Sequence, residues 1–310
     1  MLIVKVMGGL GNQMQQYALY RKLLSLGKEA KLDVSWFYDE KAQANASAPR
    51  ELELKRFVNL PMDIATEAEI RALSGNGSVF AKVAKKLGRS KIFEESEMYH
   101  PEIFSMDDRY LVGYFACNQY YADIMDELRR LFVFPKSQKE EVIAYNRELI
   151  REMENPEEIS ASIHLRRGDY LEGVNAGLLC GICTPEYYRG ACCFLEEKLA
   201  EEGRPIHFYV FSDDPAFART CSFGTRGEKI TICDGNTGED NLLDIDLMRH
   251  CRCNITANST FSFWGARLND NPDRVLVRPL WHRNNQTPDP ARMRDYWQGF
   301  ALIDRDGKVV

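Results

Sequence analysis

The chain lacks any run of about 18 consecutive apolar residues, the length a helix needs to cross a bilayer, so no transmembrane segment is expected. It also lacks an excess of positive charge. Its 40 Lys and Arg are outweighed by 46 Asp and Glu, for a net charge of −6 at pH 7. A nucleic acid is therefore not an expected partner, and any basic residues that matter must act locally. Its nine cysteines are odd in number and irregularly placed, which argues against a disulfide framework and for reduced thiols in a cytoplasmic protein. Met1-Leu2-Ile3-Val4-Lys5-Val6 enters a strand-like run directly, too short for the core of a secretion signal and without a cleavage pattern.

What is present suits an ordinary globular protein. The 310 residues, 45% of them hydrophobic, suggest two domains of roughly 150 residues, each large enough to bury a core without staples. The expected division is 1–150 and 151–310, in or just after a helix spanning about Gln138 to Glu154.

Ser162-Ile163-His164-Leu165-Arg166-Arg167-Gly168-Asp169-Tyr170 organises the second half. Ile159, Ala161, Ile163 and Leu165 read as a buried strand. The strand runs straight into two adjacent guanidiniums. At the carboxyl end of a strand in an open α/β sheet, ligands bind, and paired planar donor forks suit phosphate oxygens. A solvated turn is the competing reading of these two arginines.

From there strand and helix signals alternate. Thr184-Pro185 opens a helix to about Glu202. His207–Phe211 is strand-like and ends in Ser212-Asp213-Asp214. Lys229–Ile232 is followed by Asp234-Gly235-Asn236, and a helix over Asn241–Cys251 by strand Cys253–Thr256. Asn258-Ser259-Thr260 then opens a helix, and Arg274–Val277 is a further strand. The repeat implies a parallel, doubly wound sheet, with every polar cluster on one rim. Ser259, Thr260 and Ser262 lie at a helix start, where hydroxyls join free N–H groups. Asp246 is a candidate acceptor for a nucleobase or ribose. Together these describe a nucleotide-diphosphate site that needs no metal.

The first half opens with strand Leu2–Met7, the turn Gly8-Gly9-Leu10-Gly11-Asn12-Gln13 and a helix that Gly27 closes. One reading is a dinucleotide turn with Asp33 on a ribose, but Met14 replaces the third glycine of that fingerprint. The other is a turn that lets backbone approach a ligand, with Asn12 and Gln13 supplying amides. Thr66 and Glu69 form a capping box. Lys82, Lys85, Lys86 and Arg89 read as a solvated basic helix face, with an interaction patch as the second reading.

Three spaced motifs resemble the α-1,2-fucosyltransferases of glycosyltransferase family 11 in its bacterial form. They are Gly8-Gly9-Leu10-Gly11-Asn12-Gln13-Met14 with Gln16-Tyr17-Ala18; His164-x-Arg166-Arg167-Gly168-Asp169-Tyr170; and Asp246-Leu247-Met248 with Cys251, then Asn258-Ser259-Thr260-Phe261-Ser262-Phe263-Trp264-Gly265-Ala266. They span nearly the whole chain, in the family's order. Gln15, Phe263 and Arg267 depart from the aromatics usual in this pattern.

The resemblance implies a GT-B-like α/β fold: two Rossmann-type doubly wound domains facing across a cleft, the first on the acceptor side and the second binding GDP-fucose. It implies an inverting, metal-independent transfer of L-fucose from GDP-fucose to the 2-hydroxyl of a galactose-containing oligosaccharide, with no cofactor. Lipid-linked acceptors would bring peripheral membrane association. Catalytic roles fall to Arg166, Arg167, His164, Asp169 and Asn12. Donor binding falls to Gly9, Gly11, Gln13, Ser212, Asp213, Asp246, Asn258, Ser259, Thr260 and Ser262. Asp169, between two guanidiniums, reads as a group that steadies them rather than as a base; the base is unassigned. Four other readings stand beside this one. Ser212-Asp213-Asp214 could be a metal motif, and Cys180-Gly181-Ile182-Cys183 a redox pair. The chain could be an NAD-dependent oxidoreductase, or a non-catalytic binder of glycans or nucleotide sugars.

Overall fold

A computed structural model describes residues 1–44, 49–75, 90–96, 98–225 and 229–310. The basic run at Lys82–Arg89 lies outside them. The chain divides into two compact units, Met1–Val133 and Phe134–Val310.

In the first unit, strands β1 (Leu2–Lys5), β2 (Ala30–Asp33), β3 (Ile92–Glu94) and β4 (Arg109–Val112) form a parallel sheet in the order β2-β1-β4-β3. Helix α1 (Leu10–Ser25) follows the glycine turn and presents Met14, Tyr17, Ala18 and Leu23 to the core. Short helices α2 (Glu40–Ala44), α3 (Glu67–Ser74) and α4 (Met125–Leu131) also belong to the unit. Thr66 and Glu69 make the capping box expected at the start of α3. The apolar run Tyr110–Ala116 is strand only in its first part. β4 stops at Val112, and Phe115 takes a left-handed φ of 50°, which leaves the strand conformation.

In the second unit, helix α5 (Glu140–Met153) precedes β5 (Ile159–Leu165). Then come α6 (Gly173–Leu179), α7 (Pro185–Leu199), β6 (Ile206–Ser212), α8 (Pro215–Ala218), β7 (Lys229–Cys233) and α9 (Leu243–His250). The unit ends with β8 (Cys253–Ile255), α10 (Thr260–Leu268), β9 (Val275–Pro279), α11 (Pro290–Tyr296) and β10 (Phe300–Ile303). The strands are all parallel, in the order β10-β9-β8-β5-β6-β7. Helix α5 buries Leu149 and Met153 against Tyr209, Phe211, Leu247 and Met248. That packing draws it into the second unit and sets the division at Val133/Phe134, upstream of the expected 150. β5 is buried along its whole length because α7 covers one face with Tyr187, Ala191 and Leu195. Losing one such large apolar side chain typically costs about 2–5 kcal/mol. Strands β3 and β10 and helices α2, α6 and α11 were not anticipated. Each is short, and periodicity signals weakly over so few residues. Val309 pairs with Ile303 in an antiparallel bridge.

Candidate functional site

The chain runs from β5 to β6 and β7 on one side, and from β8 to β9 and β10 on the other. The loops after β5 and β8 therefore flank the point where the winding reverses, which is where open α/β sheets bind ligands. Tyr170 joins the two loops. Its hydroxyl donates to the Asn258 carbonyl at 3.1 Å, and burial pushes its pKa up to about 12, so it stays protonated.

Arg166 leaves β5 into a carboxylate clamp. Nη2 donates to Asp169 Oδ1 at 2.6 Å, and Nη1 lies 3.0 Å from Asp213 Oδ2. Burial alone would lower its pKa, but Asp213 and Asp169 outweigh burial and raise it. The guanidinium is thus permanently charged and held in one orientation, with its side chain 25% exposed. Arg167 is held separately: its N–H donates to Asp213 Oδ1 at 2.9 Å, and Nε donates to Asp214 Oδ2 at 3.1 Å. Its guanidinium lies 3.6 Å from the centroid of the Phe217 ring, a cation–π contact. Asp213 thus serves both arginines. Gly168 is required beside it, since a Cβ there would fall 2.5 Å from Asp213 Oδ2. Ser212 contributes by accepting the Asp214 N–H at 3.0 Å, and Asp214 caps α8. Asp213 and Asp214 are therefore engaged by guanidiniums and backbone N–H groups. Among the described residues no three His, Cys, Asp or Glu gather to share a metal ion.

Across the crevice, Ser259 is the N-cap of α10, with extended backbone and no side-chain cap. The first-turn N–H groups of α10 suit an anion. Thr260 begins the helix. Ser262 is buried: its hydroxyl accepts from the Ala257 N–H and donates to the Ser259 carbonyl, both at 3.2 Å. Asn258 is also buried and donates to the carbonyls of Leu179 and His282 at 3.1 and 3.4 Å. Ser262 and Asn258 therefore shape the loop, whereas Ser259 and Thr260 carry the helix start.

His164 lies within β5, buried and stacked on Phe261. Burial first, and Arg166 second, lower its pKa to about 3, so it is neutral and a weak base. Its Nδ1 has no hydrogen-bond partner among the described residues. Asp246 is half-buried and accepts from Arg249 Nε at 2.7 Å. Two residues earlier, at the start of α9, Asp244 accepts from Asn236 at 2.9 Å, and burial raises its pKa to about 7. Asp244 is the carboxylate of this rim whose environment is most perturbed, and sequence reading passed over it. The available signal was its position one turn ahead of Met248, on the face of α9 that Asn236 meets.

Gly9, Gly11, Asn12 and Gln13 lie at the carboxyl rim of the first unit's own sheet. Gly9 is the N-cap of α1. Asn12 is half-buried, and its amide nitrogen lies 2.8 Å from where a Cβ at Gly8 would fall. Gln13 is fully buried and committed. It donates to the carbonyls of Gly8 and Glu51 at 2.9 and 2.8 Å and accepts from the Leu54 N–H at 3.3 Å. Gln13 therefore holds the glycine turn, and its amide is spent there rather than on a ligand. Asp33 is likewise spent, accepting from the Tyr110 hydroxyl at 2.5 Å and from the Ser35 N–H at 2.8 Å. Met14, in place of the fingerprint's third glycine, is buried in the core. The dinucleotide reading thus loses its ribose acceptor. Burial pushes the Cys183 thiol up to about 12, the reverse of a reactive redox thiol.

The chain matches the model of Glycosyl transferase family 11 over residues 81–301. It is 28% identical over 290 residues to an alpha-1,2-colitosyltransferase of Escherichia coli, covering 90% of this chain and 91% of that protein. It is 29% identical over 306 residues to the O-antigen biosynthesis glycosyltransferase WbnK of Escherichia coli, covering 90% and 94%. The crystal structure of fucosyltransferase NodZ from Bradyrhizobium aligns at a TM-score of 0.45 and 14% identity, over 85% of this chain and 91% of that one.

Proposed function

The chain belongs to glycosyl transferase family 11, and from that premise we propose that it moves L-fucose from GDP-β-L-fucose to the 2-hydroxyl of a β-galactoside with inversion, using no metal and no cofactor. The observation that carries this reading is the clamped arginine pair at the switch point. A sugar nucleotide reacts as its diphosphate departs, and the charge to be stabilised grows on that leaving group. Arg166 and Arg167 are two guanidiniums fixed by Asp169, Asp213 and Asp214, and the uncapped start of α10 adds N–H donors.

In this reading the second unit binds the donor. Ser259 and Thr260 meet the diphosphate, and Asp244 accepts from the nucleobase edge. Asp169 and Asp213 position arginines and do not touch the substrate. The first unit, with Gly9, Gly11 and Asn12, receives the acceptor. Among the described residues no helix is long and apolar enough to cross a membrane. The reading places the enzyme in the cytoplasm, meeting lipid-linked acceptors at the membrane surface.

The test is GDP release from GDP-fucose with and without a panel of galactosides, in EDTA. Acceptor-dependent release unaffected by chelator is expected. Release abolished by EDTA overturns metal independence, and no release with any galactoside overturns the acceptor class. The similarity to a colitosyltransferase makes a colitose donor the comparison to run in the same assay.

A further inference from the structure

An attacking sugar hydroxyl must lose a proton, and the described carboxylates around the second unit's arginine pair are all engaged. Asp169, Asp213 and Asp214 are ion-paired to guanidiniums, and neutral His164 is buried with its pKa near 3. In the first unit, Asp33 is 1% exposed and fully engaged. Glu95 is different. It follows β3 directly, at the carboxyl rim of the first unit's sheet, and is half-buried. Its Oε2 accepts the N–H groups of Tyr114 and Phe115 at 2.8 and 2.9 Å. Its Oε1 has one long contact, 3.4 Å from the Tyr120 hydroxyl, which itself accepts from the His100 N–H at 2.9 Å. Among the described residues no Lys or Arg pairs with it.

The surroundings hold this carboxylate in place. A Cβ at Gly113 would fall 2.5 Å from Glu95 Cβ, so only glycine lets the chain pass. Phe115 is held at φ 50°, a conformation non-glycine residues adopt at a cost. Gln16 donates to the Gly113 carbonyl at 2.9 Å and accepts from the Met7 N–H at 3.0 Å. The loop that grips Glu95 is thereby tied to the start of the Gly8-Gly9 turn. One oxygen is locked to two backbone N–H groups and the other accepts only the long bond from the Tyr120 hydroxyl, beside the turn that the reading above assigns to the acceptor.

We propose that Glu95 Oε1 takes the proton of the attacking sugar hydroxyl. The proposal rests on the transferase reading. In the step, the hydroxyl oxygen bonds to the anomeric carbon as the bond from that carbon to the diphosphate oxygen breaks. The bonding pair leaves with GDP, the hydroxyl proton passes to Glu95, and solvent removes it afterwards. Burial raises the Glu95 pKa, and the Phe115 and Tyr114 N–H groups, the nearby His100 and the Tyr120 hydroxyl offset this in part. The titratable groups around it are Tyr120, Cys117 and His100, the last bonded to Glu102 at 2.9 Å. A base with a raised pKa loses activity as pH falls through that pKa, so the acid limb lies above the ordinary carboxylate range of about 4.

Three quantities test this on the full chain: transfer kcat against pH, GDP affinity, and melting temperature. Glu95→Gln keeps an oxygen for the two backbone N–H groups. It should lower transfer by about 100-fold or more and abolish the acid limb, while GDP affinity and melting temperature stay put. Transfer within about threefold of wild type, or an unchanged limb, overturns the proposal. A loss of GDP affinity in parallel with transfer also overturns it, because that marks a structural role. If the variant does not fold, the wild-type profile decides. A limb in transfer but not in GDP affinity supports the proposal, and transfer that stays flat as pH falls to the ordinary carboxylate value of about 4 overturns it. Wild-type protein that never uses GDP-fucose would sink the transferase reading instead, before any variant is made.

Discussion

Replacing Arg166 by alanine removes the group on which the leaving-group argument rests, and two costs can be worked from its surroundings. The first is to stability. Nη1 and Nη2 reach different carboxylates, at 3.0 and 2.6 Å, and those side chains are 25% and 17% exposed. Breaking a fully buried pair costs about 3–5 kcal/mol, and exposed pairs are worth about 0–1 kcal/mol. A site this far shielded should lose about 1–3 kcal/mol, less than the total stability of about 5–15 kcal/mol of a typical domain. The variant therefore folds with a lowered melting temperature. The second cost is to the transition state. Losing one preorganised donor to a developing anion costs about 3–4 kcal/mol, or 100- to 1,000-fold in kcat. Arg166→Lys keeps the charge, but one ammonium cannot hold both carboxylates and still point at the diphosphate, so it should recover little. Asp213→Asn is the control. It keeps an oxygen for the Arg167 N–H and should lose less activity than Arg166→Ala. The assay is steady-state GDP release, with circular dichroism to confirm the fold. Arg166→Ala within about threefold of wild-type kcat/KM, in a folded protein, refutes the reasoning.

Other outcomes follow from single contacts. Gly168→Ala places a methyl 2.5 Å from Asp213 Oδ2; it should cost about 1–3 kcal/mol by overpacking and lower kcat by displacing Asp213, as thermal melts and GDP release will show. Asp244→Asn changes a pH dependence. With its folded pKa raised to about 7 by burial and an unfolded value of about 3.9, the native protein holds this proton more tightly than the unfolded chain. Stability is therefore fully present below the unfolded pKa and declines as pH rises towards the folded one. The variant should flatten that decline in melting temperature between about pH 4 and 7, and a slope identical to wild type would refute the assignment. Thr184 caps α7 by accepting the Tyr187 N–H at 3.0 Å. Thr184→Ala should cost about 1 kcal/mol in urea unfolding and leave kcat unchanged, so it reports on stability alone.

Much of this protein follows from the order of its residues. Hydrophobic runs that end in polar punctuation place β5, β6, β7 and β8. A chain that alternates strand and helix must make parallel sheets, because each crossover returns to the same edge. That alone brings Arg166, Asp213 and Ser259 to one rim, and the capping residues Thr66 and Thr184 mark where helices begin. Tertiary structure decided what each polar side chain is spent on. Gln13 and Gln16 look equally suited to a ligand in sequence, yet both amides are spent on backbone of the first unit. Asp246 carries the motif, but Arg249 meets it one turn away, while Asp244 faces Asn236 and loses its water. Glu95 has no motif at all. It emerges only because β3 and β4 lie side by side, so that a loop 19 residues further on donates two N–H groups to one of its oxygens. Spacing along a chain reports which faces are buried. It carries no record of partners that arrive from distant segments, and those partners decide which charges are neutralised and which remain free to act.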